Sequence, residues 1–177
     1  MTVQPWTTEA STTLVADEWI TLRADSCRTA DGRVVAPYYV VEAPTWVCVL
    51  ALTPDRRAVL VEEYRHGAGV VGLGLPGGIM DADDASPMDA AARELREETG
   101  YVPGQIVEVG RGWANWASHT NEVVYFLATD CIRVSGPDEG EELEVELHAL
   151  DEVVRAGMLR QSFHQANLHL ALEQLRA

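Results

Sequence analysis

The sequence predicts an α/β or α+β sandwich preceded by a small N-terminal antiparallel β hairpin, and three observations lead to it. Strand-like and helix-like runs share the chain without a regular β-α-β alternation, which argues against a doubly wound sheet. The run 45–52 is almost wholly apolar, as expected of a strand covered on both faces. A chain of 177 residues with 47% hydrophobic residues can bury the core of one domain.

The N-terminal region predicts a hairpin. Residues 19–28 and 33–42 are rich in strand-forming residues, and they flank Thr-Ala-Asp-Gly at 29–32, a turn with a glycine for positive φ. The first dozen residues are rich in Thr and Ser, so we expect a loose tail there. We therefore expect residues 1–43 to form a tail and hairpin, and residues 44–177 to form the main domain.

The centre of the chain contains the clearest helix. Ser86 is a suitable N-cap, Pro87 stands at the first helical position, and Gly100 is the expected C-terminal stop. Before this helix we expect a strand at 58–64 and a mobile glycine-rich loop at 66–72.

The last third of the chain returns to strands and then ends in helices. We expect strands at 106–109, 122–128 and 143–147, a loop at 111–121, an acidic loop at 135–142, and helices at 151–156 and 162–176.

Composition excludes several function classes. The formal net charge is −15 and there is no lysine, so a nucleic-acid partner is not expected. No apolar run approaches the roughly 20 residues of a membrane span, and no secretory signal is visible. Cys27, Cys48 and Cys131 lack metal-ligand spacing and are expected to be reduced, mostly buried thiols. We therefore expect a cytoplasmic protein without a membrane partner.

The expected chemistry lies on the central helix. Glu94, Glu97 and Glu98 are spaced i, i+3, i+4 and share one helix face, where Arg93 can pair with Glu97. A hard divalent cation such as Mg²⁺ would turn repulsion between these carboxylates into coordination. The glycines after Pro76 would let a carbonyl, that of Gly77, reach the same cation. An E-x-x-E-E run alone is usually a solvated helix face, but the glycine turn and the capped helix favour the metal site.

Residues 75–101 resemble the Nudix box of the Nudix hydrolases. The segment Arg93-Glu94-Leu95-Arg96-Glu97-Glu98-Thr99-Gly100-Tyr101 matches the second half of that motif at every fixed position. The first half departs from it, because five residues after Gly78 the sequence has Asp84 rather than glutamate, and the spacing to Arg93 is one residue longer. Asp84 is the best substitute for that first acidic residue.

The wider sequence resembles the ADP-ribose pyrophosphatase branch of this family. Tyr64-Arg65, the apolar strand, the acidic loop and the C-terminal helix all carry the likeness. The resemblance implies an α/β/α sandwich with a mixed sheet. It also implies that the acidic loop supplies a metal ligand or a base, at Glu139 and Glu141, although a soluble acidic turn is the simpler interpretation of that stretch alone.

The resemblance implies an activity and its residues. The reaction would be metal-dependent hydrolysis of a nucleoside diphosphate linked to a group X, most simply ADP-ribose or a nucleotide sugar, giving a nucleoside monophosphate and phosphorylated X. The cofactor would be Mg²⁺ or Mn²⁺ and the assembly a homodimer through the N-terminal hairpin. The expected catalytic residues are Glu97, Glu98, Glu139 and Glu141. The expected metal ligands are Gly77, Glu94, Glu97, Glu98 and Glu141.

Substrate contacts must come from arginine or aromatic residues, since lysine is absent. Arg65 matches an arginine that the family uses on substrate phosphate, and Arg111 is a weaker candidate. Trp46 and Trp113 could stack on a nucleobase, although core packing is the commoner role of a tryptophan. Two other functions stay open: a pyrophosphohydrolase of nucleoside triphosphates, including damaged ones, and a non-catalytic nucleotide sensor with the same fold.

Overall fold

The computed structural model describes residues 2–177. The strands are β1 (Thr7–Ala16), β2 (Thr21–Arg28), β3 (Val34–Glu42), β4 (Trp46–Leu52), β5 (Arg57–Arg65), β6 (Val70–Gly74), β7 (Tyr101–Val102), β8 (Gln105–Trp113), β9 (Glu122–Thr129), β10 (Ile132–Arg133) and β11 (Leu143–Ala149). The helices are α1 (Pro87–Thr99), α2 (Leu150–Ala156) and α3 (Ser162–Gln174). The chain divides into two compact units, one of residues up to Pro44 with 113–122, the other of residues 45–112 with 123–177.

The first unit contains a three-stranded antiparallel sheet in the order β1-β2-β3. Strands β2 and β3 form the hairpin that the sequence predicts. In its turn, the Thr29 N–H donates to the Arg33 carbonyl at 2.9 Å, and Gly32 takes a φ of 86°. Glycine suits this position because it reaches positive φ without a steric cost.

The expectation of a loose N-terminal tail is wrong from Thr7 onward. Strand β1 pairs with β2 from Thr7 opposite Arg28 to Ala16 opposite Thr21, which makes the predicted hairpin a three-stranded sheet. All ten residues of β1 are exposed, so the strand has no alternation of apolar and polar residues that would reveal it. Its threonines are β-branched and favour extended backbone.

The second unit is built on a mixed sheet in the order β11-β5-β4-β9-β8, with β6 also paired to β5. Strands β4 and β9 run parallel, whereas β5 runs antiparallel to β4, β6 and β11. Six of the seven residues of β4 are buried, as predicted for a strand covered on both faces.

The two faces of this sheet pack against different helices. Ala90, Ala91 and Leu95 of α1 join one core cluster with inward residues of β4 and β9. Val153 of α2 and Ala171 of α3 join a second cluster with the alternate residues of the same strands. The unit is therefore the α/β/α sandwich that the resemblance implied.

The loop expected at 66–72 is shorter than predicted. Strand β6 begins at Val70 and pairs antiparallel with β5, so that only 66–69 form the turn. Val70 and Val71 are β-branched residues next to glycines, and their pairing with β5 outweighs the flexibility that glycine suggests. The turn thus belongs to a β hairpin at the edge of the sheet.

Helix α1 begins and ends as the sequence predicts. The Ser86 hydroxyl accepts a hydrogen bond from the Asp89 N–H at 3.2 Å, and Gly100 takes the left-handed conformation with its N–H donating to the Arg96 carbonyl. These two caps fix the register of the helix and therefore the direction of its acidic face. Within residues 2–177, no helix is long and apolar enough to cross a membrane.

Candidate active site

A glycine turn lies beside the acidic face of α1. The Val49 N–H donates to the Pro76 carbonyl at 2.9 Å and the Val47 N–H donates to the Gly78 carbonyl at 2.8 Å, so the turn is fastened to β4. Between them, the Gly77 N–H donates to Glu98 Oε2 at 2.9 Å. The turn thereby connects the central strand of the sheet to the helix carboxylates.

Close packing requires glycine at Gly77 and brings a carboxylate against Gly78. Gly77 has a φ of 155°, and a Cβ atom there would overlap the Val47 carbonyl oxygen and lie 2.9 Å from the Cys48 Cα. A Cβ atom at Gly78 would lie 2.5 Å from Glu94 Oε1. The Glu94 carboxylate therefore lies directly against the main chain of the turn.

Four glutamates form a carboxylate cluster, which we define as Glu63, Glu94, Glu98 and Glu141. Glu98 is only 9% exposed. Burial, together with the negative charges of the other three glutamates, raises the pKa of Glu98 to about 8, against the opposing effect of the hydrogen bond from the Gly77 N–H. Burial also raises the pKa of Glu94. Negative charge is thus concentrated in a poorly solvated site.

Glu63 of β5 is the member of the cluster that sequence reasoning missed. Its side chain is 17% exposed, and its Oε1 atom is buried without a hydrogen bond. Arg65 Nη2 lies 2.5 Å from that oxygen as an ion pair. Burial raises the pKa of Glu63, with the nearby charge of Glu141 adding to the effect. No local signal distinguishes Glu63 from the exposed acidic residues of a strand, because its neighbours in the cluster come from distant segments.

Arg93 orders the acidic face of α1. Its guanidinium lies 2.9 Å from Glu97 Oε2, as predicted, and 3.0 Å from Glu94 Oε1. It also lies 2.9 Å from Asp84 Oδ2 and donates to the Ile79 carbonyl at 3.1 Å. The hydrogen bond from Arg93 lowers the pKa of Asp84. Asp84 therefore acts on the site through Arg93, whose orientation it helps to fix.

Glu97 is held differently from its two neighbours on the helix. Its second oxygen, Oε1, accepts a hydrogen bond from Arg96 at 3.0 Å, so its carboxylate lies between two guanidinium groups. Its main-chain carbonyl accepts from the Asp138 N–H at 2.8 Å, which attaches the acidic loop to α1. The charge of Glu97 is therefore balanced within the protein.

The acidic loop contributes one of its two candidate glutamates to the cluster. Glu141 is close enough for its charge to raise the pKa values of Glu63 and Glu98. Glu139 is exposed and makes no hydrogen bond or ion pair with the described residues. The structure thus brings Glu141, but not Glu139, to the buried carboxylates.

The donor set fits a hard divalent cation. The cluster offers carboxylate oxygens, and burial raises the pKa values of Glu94 and Glu98, with repulsion from neighbouring carboxylates adding to it; a nearby cation would stabilise both ionised forms. Among residues 2–177, no three His, Cys, Asp or Glu side chains already stand in ligating geometry. Arg93, which contacts Glu94, is the cationic group of this face. Small side-chain rotations would therefore accompany metal binding.

Comparison with known proteins agrees with this arrangement. The family model described as NUDIX domain matches residues 42–169. The chain belongs to the Nudix family. A second family model, described as nucleoside diphosphate sugar hydrolase N-terminal domain, matches residues 6–41. The family predicted from the box in α1 is therefore confirmed.

Several relatives are similar to this Nudix chain. An ADP-ribose pyrophosphatase of Mycobacterium tuberculosis is 37% identical over 93 residues, which cover 52% of this chain and 44% of that protein. An ADP-ribose pyrophosphatase of Bacillus subtilis is 27% identical over 120 residues, 66% of this chain and 64% of that protein. A putative nudix hydrolase of Caenorhabditis elegans is 51% identical over 49 residues, but these span only 22% of its length.

A solved structure supports the fold of the whole chain. The crystal structure of an ADP compounds hydrolase matches with a TM-score of 0.85 and 20% identity, covering 99% of this chain and 97% of that chain. The predicted fold class is confirmed.

The four expected substrate residues of this Nudix chain lie in different surroundings. Arg65 ends β5 and pairs with the carboxylate cluster through Glu63. Trp46 is partly buried, packs against Phe163 with ring centroids 6.2 Å apart, and has a buried Nε1 atom without a hydrogen-bond partner.

The other two substrate candidates are exposed. Arg111 is 49% exposed and donates to Glu108 of its own strand at 2.8 Å. Trp113 is 52% exposed and belongs to the unit that contains the N-terminal sheet. Of the four residues, Arg65 is the one that contacts the carboxylate cluster.

Proposed function

We propose that this chain hydrolyses the diphosphate of a nucleoside diphosphate linked to a group X, with ADP-ribose or a nucleotide sugar as substrate. Water adds to one phosphorus, the bridging P–O bond breaks, and the products are a nucleoside monophosphate and phosphorylated X. The observation that carries the proposal is the carboxylate cluster, whose members Glu94 and Glu98 lie on α1 beside the glycine turn. The named activities of the ADP-ribose pyrophosphatase relatives support the substrate class.

The carboxylate cluster is proposed to hold the cofactor, Mg²⁺ or Mn²⁺. Glu94, Glu98, Glu141 and the Gly77 carbonyl would be the ligands, and Glu97 would join them if Arg93 and Arg96 release it. Bound divalent cations neutralise diphosphate charge and lower the pKa of a coordinated water. Arg65 is placed to contact a substrate phosphate, because its guanidinium reaches the edge of the cluster at Glu63.

A carboxylate of the cluster is proposed to accept the proton of the attacking water. Glu98 and Glu141 are the candidates, because their carboxylates are near enough for their charges to interact and Glu98 is buried. Glu97 is the weaker candidate, since two guanidinium groups already stabilise its ionised form. Glu139 is the weakest, because it is exposed and makes no hydrogen bond or ion pair with the residues described.

The test is the substitution Glu98→Gln, which keeps the shape of the side chain and removes its charge. We expect kcat/KM for Mg²⁺-dependent AMP release from ADP-ribose to fall by at least about 100-fold. Glu173→Gln is the matched control, since Glu173 is exposed and pairs with Arg176 at the far end of α3. Circular dichroism should show both variants folded. Unchanged turnover in Glu98→Gln would contradict the proposal.

A nucleotide panel separates this activity from its two alternatives. ADP-ribose and nucleotide sugars should be hydrolysed faster than nucleoside triphosphates, with phosphorus NMR identifying the products. Preference for triphosphates would favour the pyrophosphohydrolase. Nucleotide binding without turnover in Mg²⁺ would favour the sensor.

The assembly and location are proposed as well. We propose a cytoplasmic homodimer formed through the N-terminal region 1–43, with residues 44–177 as the catalytic domain. The first unit exposes apolar side chains that a second copy could cover, among them Trp6, Leu14 and Trp19. Light scattering at micromolar concentration should give the mass of a dimer, and a monomer would contradict the proposal.

A further inference from the structure

A cavity of about 760 Å³ opens at the edge of the second unit, next to the carboxylate cluster. One wall is the β5–β6 hairpin, including Arg65 and His66, and the other is the connection from α2 to α3 with the first turn of α3. Arg160, Gln161 and His164 face it from that second wall. Arg65 joins the cavity to the carboxylate cluster, since it lines the one and pairs with Glu63 of the other.

The cavity holds an arginine without an ion pair among the described residues, in a chain that is strongly acidic. Arg65 and Arg160 line it against one carboxylate, that of Glu62, whereas the whole chain carries a net charge of −15. Arg160 is exposed and makes no ion pair or side-chain hydrogen bond with any residue of 2–177. An unpaired guanidinium in a concave site is a strong donor for a carboxylate or a phosphate.

His164 adds a second, buried donor to the same cavity. Its side chain is only 2% exposed, and its Nδ1 atom accepts a hydrogen bond from the Leu75 N–H at 3.4 Å. Burial, together with the charge of Arg65, lowers the pKa of His164 to about 3, so the imidazole is neutral. The proton of a neutral ring whose Nδ1 accepts must be on Nε2. Within 2–177 this Nε2–H has no protein acceptor, although His164 lines the cavity.

We propose that this cavity binds an anionic group of X, a carboxylate or a phosphate, through Arg160 and the Nε2–H of His164. The inference rests on the proposed function and makes it more specific, because it predicts a preference for substrates whose X carries a negative charge beyond the diphosphate. The diphosphate would lie at the carboxylate cluster, and Arg65 would stand between the two anionic parts of the substrate.

The kinetic test uses two nucleotide sugars with the same nucleoside, UDP-glucuronic acid and UDP-glucose, which differ by one carboxylate. We expect the ratio of their kcat/KM values to favour the uronic acid and to fall roughly tenfold in Arg160→Gln, the loss of one charged hydrogen bond. Arg155→Gln is the matched control, because Arg155 is an exposed arginine of α2 that pairs with Asp151 outside the cavity. An unchanged ratio in Arg160→Gln, or an equal fall in Arg155→Gln, overturns the inference.

A binding test separates X from free phosphate as the source of the anion. Inorganic phosphate is titrated into the EDTA-treated protein, and the rise in Tm is compared between the parent chain and both variants. A rise that Arg160→Gln abolishes and Arg155→Gln keeps supports an anion site, and equal rises in all three overturn it. If phosphate binds through Arg160 while the sugar ratio stays unchanged, the ligand is a free anion and the inference about X is wrong. Absence of hydrolysis of ADP-ribose and of every nucleotide sugar refutes the proposed function instead, and the phosphate titration still decides on the anion site.

Discussion

The carboxylate cluster and the cavity beside it are neighbouring sites with different polar groups. The cluster gathers the partly or fully buried Glu63, Glu94 and Glu98 with the exposed Glu141, whereas the cavity presents Arg160 and a buried neutral histidine. The first arrangement suits a cation and the second suits an anion. Arg65 belongs to both, because it pairs with Glu63 and also lines the cavity.

The contrast suggests how an acidic chain without lysine can accept a substrate with several negative charges. A site made of carboxylates repels a diphosphate unless a metal ion first reverses its sign. A site made of arginine and imidazole N–H groups needs no metal. Binding of the diphosphate would then depend on the cofactor, whereas group X would be held directly by protein side chains. Substitutions at the two sites can therefore separate metal-dependent from metal-independent binding of the substrate.

The largest expected effect is on the glycine turn that supports the carboxylate cluster. Gly77→Ala adds a Cβ atom that overlaps the Val47 carbonyl oxygen, at a φ of 155° that side chains rarely adopt. We expect the free energy of unfolding to fall by at least about 3 kcal/mol, measured by urea denaturation. Gly72→Ala is the control, because nothing lies within 4 Å of a Cβ atom there. Equal stability of both variants would show that the turn tolerates displacement.

The next effect concerns Arg93, which orders the acidic face. Arg93→Gln removes the guanidinium from Asp84, Glu94 and Glu97, so we expect metal affinity and kcat/KM to fall about 10- to 100-fold. Manganese titration followed by electron paramagnetic resonance measures the affinity. The matched control is Arg96→Gln on the same helix, whose guanidinium contacts Glu97 and Asp138 but not Glu94. Arg96→Gln should lower metal affinity and kcat/KM by no more than about threefold. A loss as large as that of Arg93→Gln would contradict the role of Arg93 in ordering the acidic face.

Helix α1 shows what the sequence could predict about the cluster. Ser86, Pro87 and Gly100 are local signals, and they set the helix register and therefore the shared face of its glutamates. The glycine turn was predictable from Pro76 and its two glycines, a local turn signal, whereas the atoms that crowd Gly77 belong to β4. The local signals of α1 therefore predicted the shared face of Glu94 and Glu98, two of the four members of the carboxylate cluster.

Glu63 and the cavity could not be predicted, because they depend on contacts between distant segments. Glu63 comes near Glu98 because β5 pairs with β4, the strand to which the glycine turn is hydrogen-bonded. Glu139 and Glu141 are equivalent in an acidic loop until the hydrogen bond between Asp138 and Glu97 fixes its position. His164 lies in a helical segment of mixed polar and apolar residues, and nothing in that segment indicates that it lines a cavity with Arg160.

A smaller effect tests the buried histidine of the cavity through pH. The folded pKa of His164, about 3, lies below its ordinary value of 6.5, so the unfolded chain binds more protons between these values. Stability from this group is therefore complete above pH 6.5 and is lost as pH falls toward 3, by up to about 1.4 kcal/mol per pH unit. Urea denaturation of the parent chain and His164→Gln at pH 7 and pH 5 measures the difference. Parallel pH dependences in the two proteins would show that His164 is not held neutral.

The smallest expected effects come from the N-termini of α1 and α3, which differ in their capping. Helix α1 is capped by Ser86, whereas Gln161 at the start of α3 makes no side-chain cap bond. Ser86→Ala should therefore lower the free energy of unfolding by about 1 kcal/mol, and Gln161→Ser should raise it by roughly 0.5 kcal/mol, both measured by urea denaturation. Because Gln161 faces the cavity, the added hydroxyl should also compete with phosphate for the free N–H groups of α3 and lower phosphate affinity. A stabilised Gln161→Ser variant that binds phosphate as tightly as the parent chain would show that these N–H groups do not contribute to the anion site.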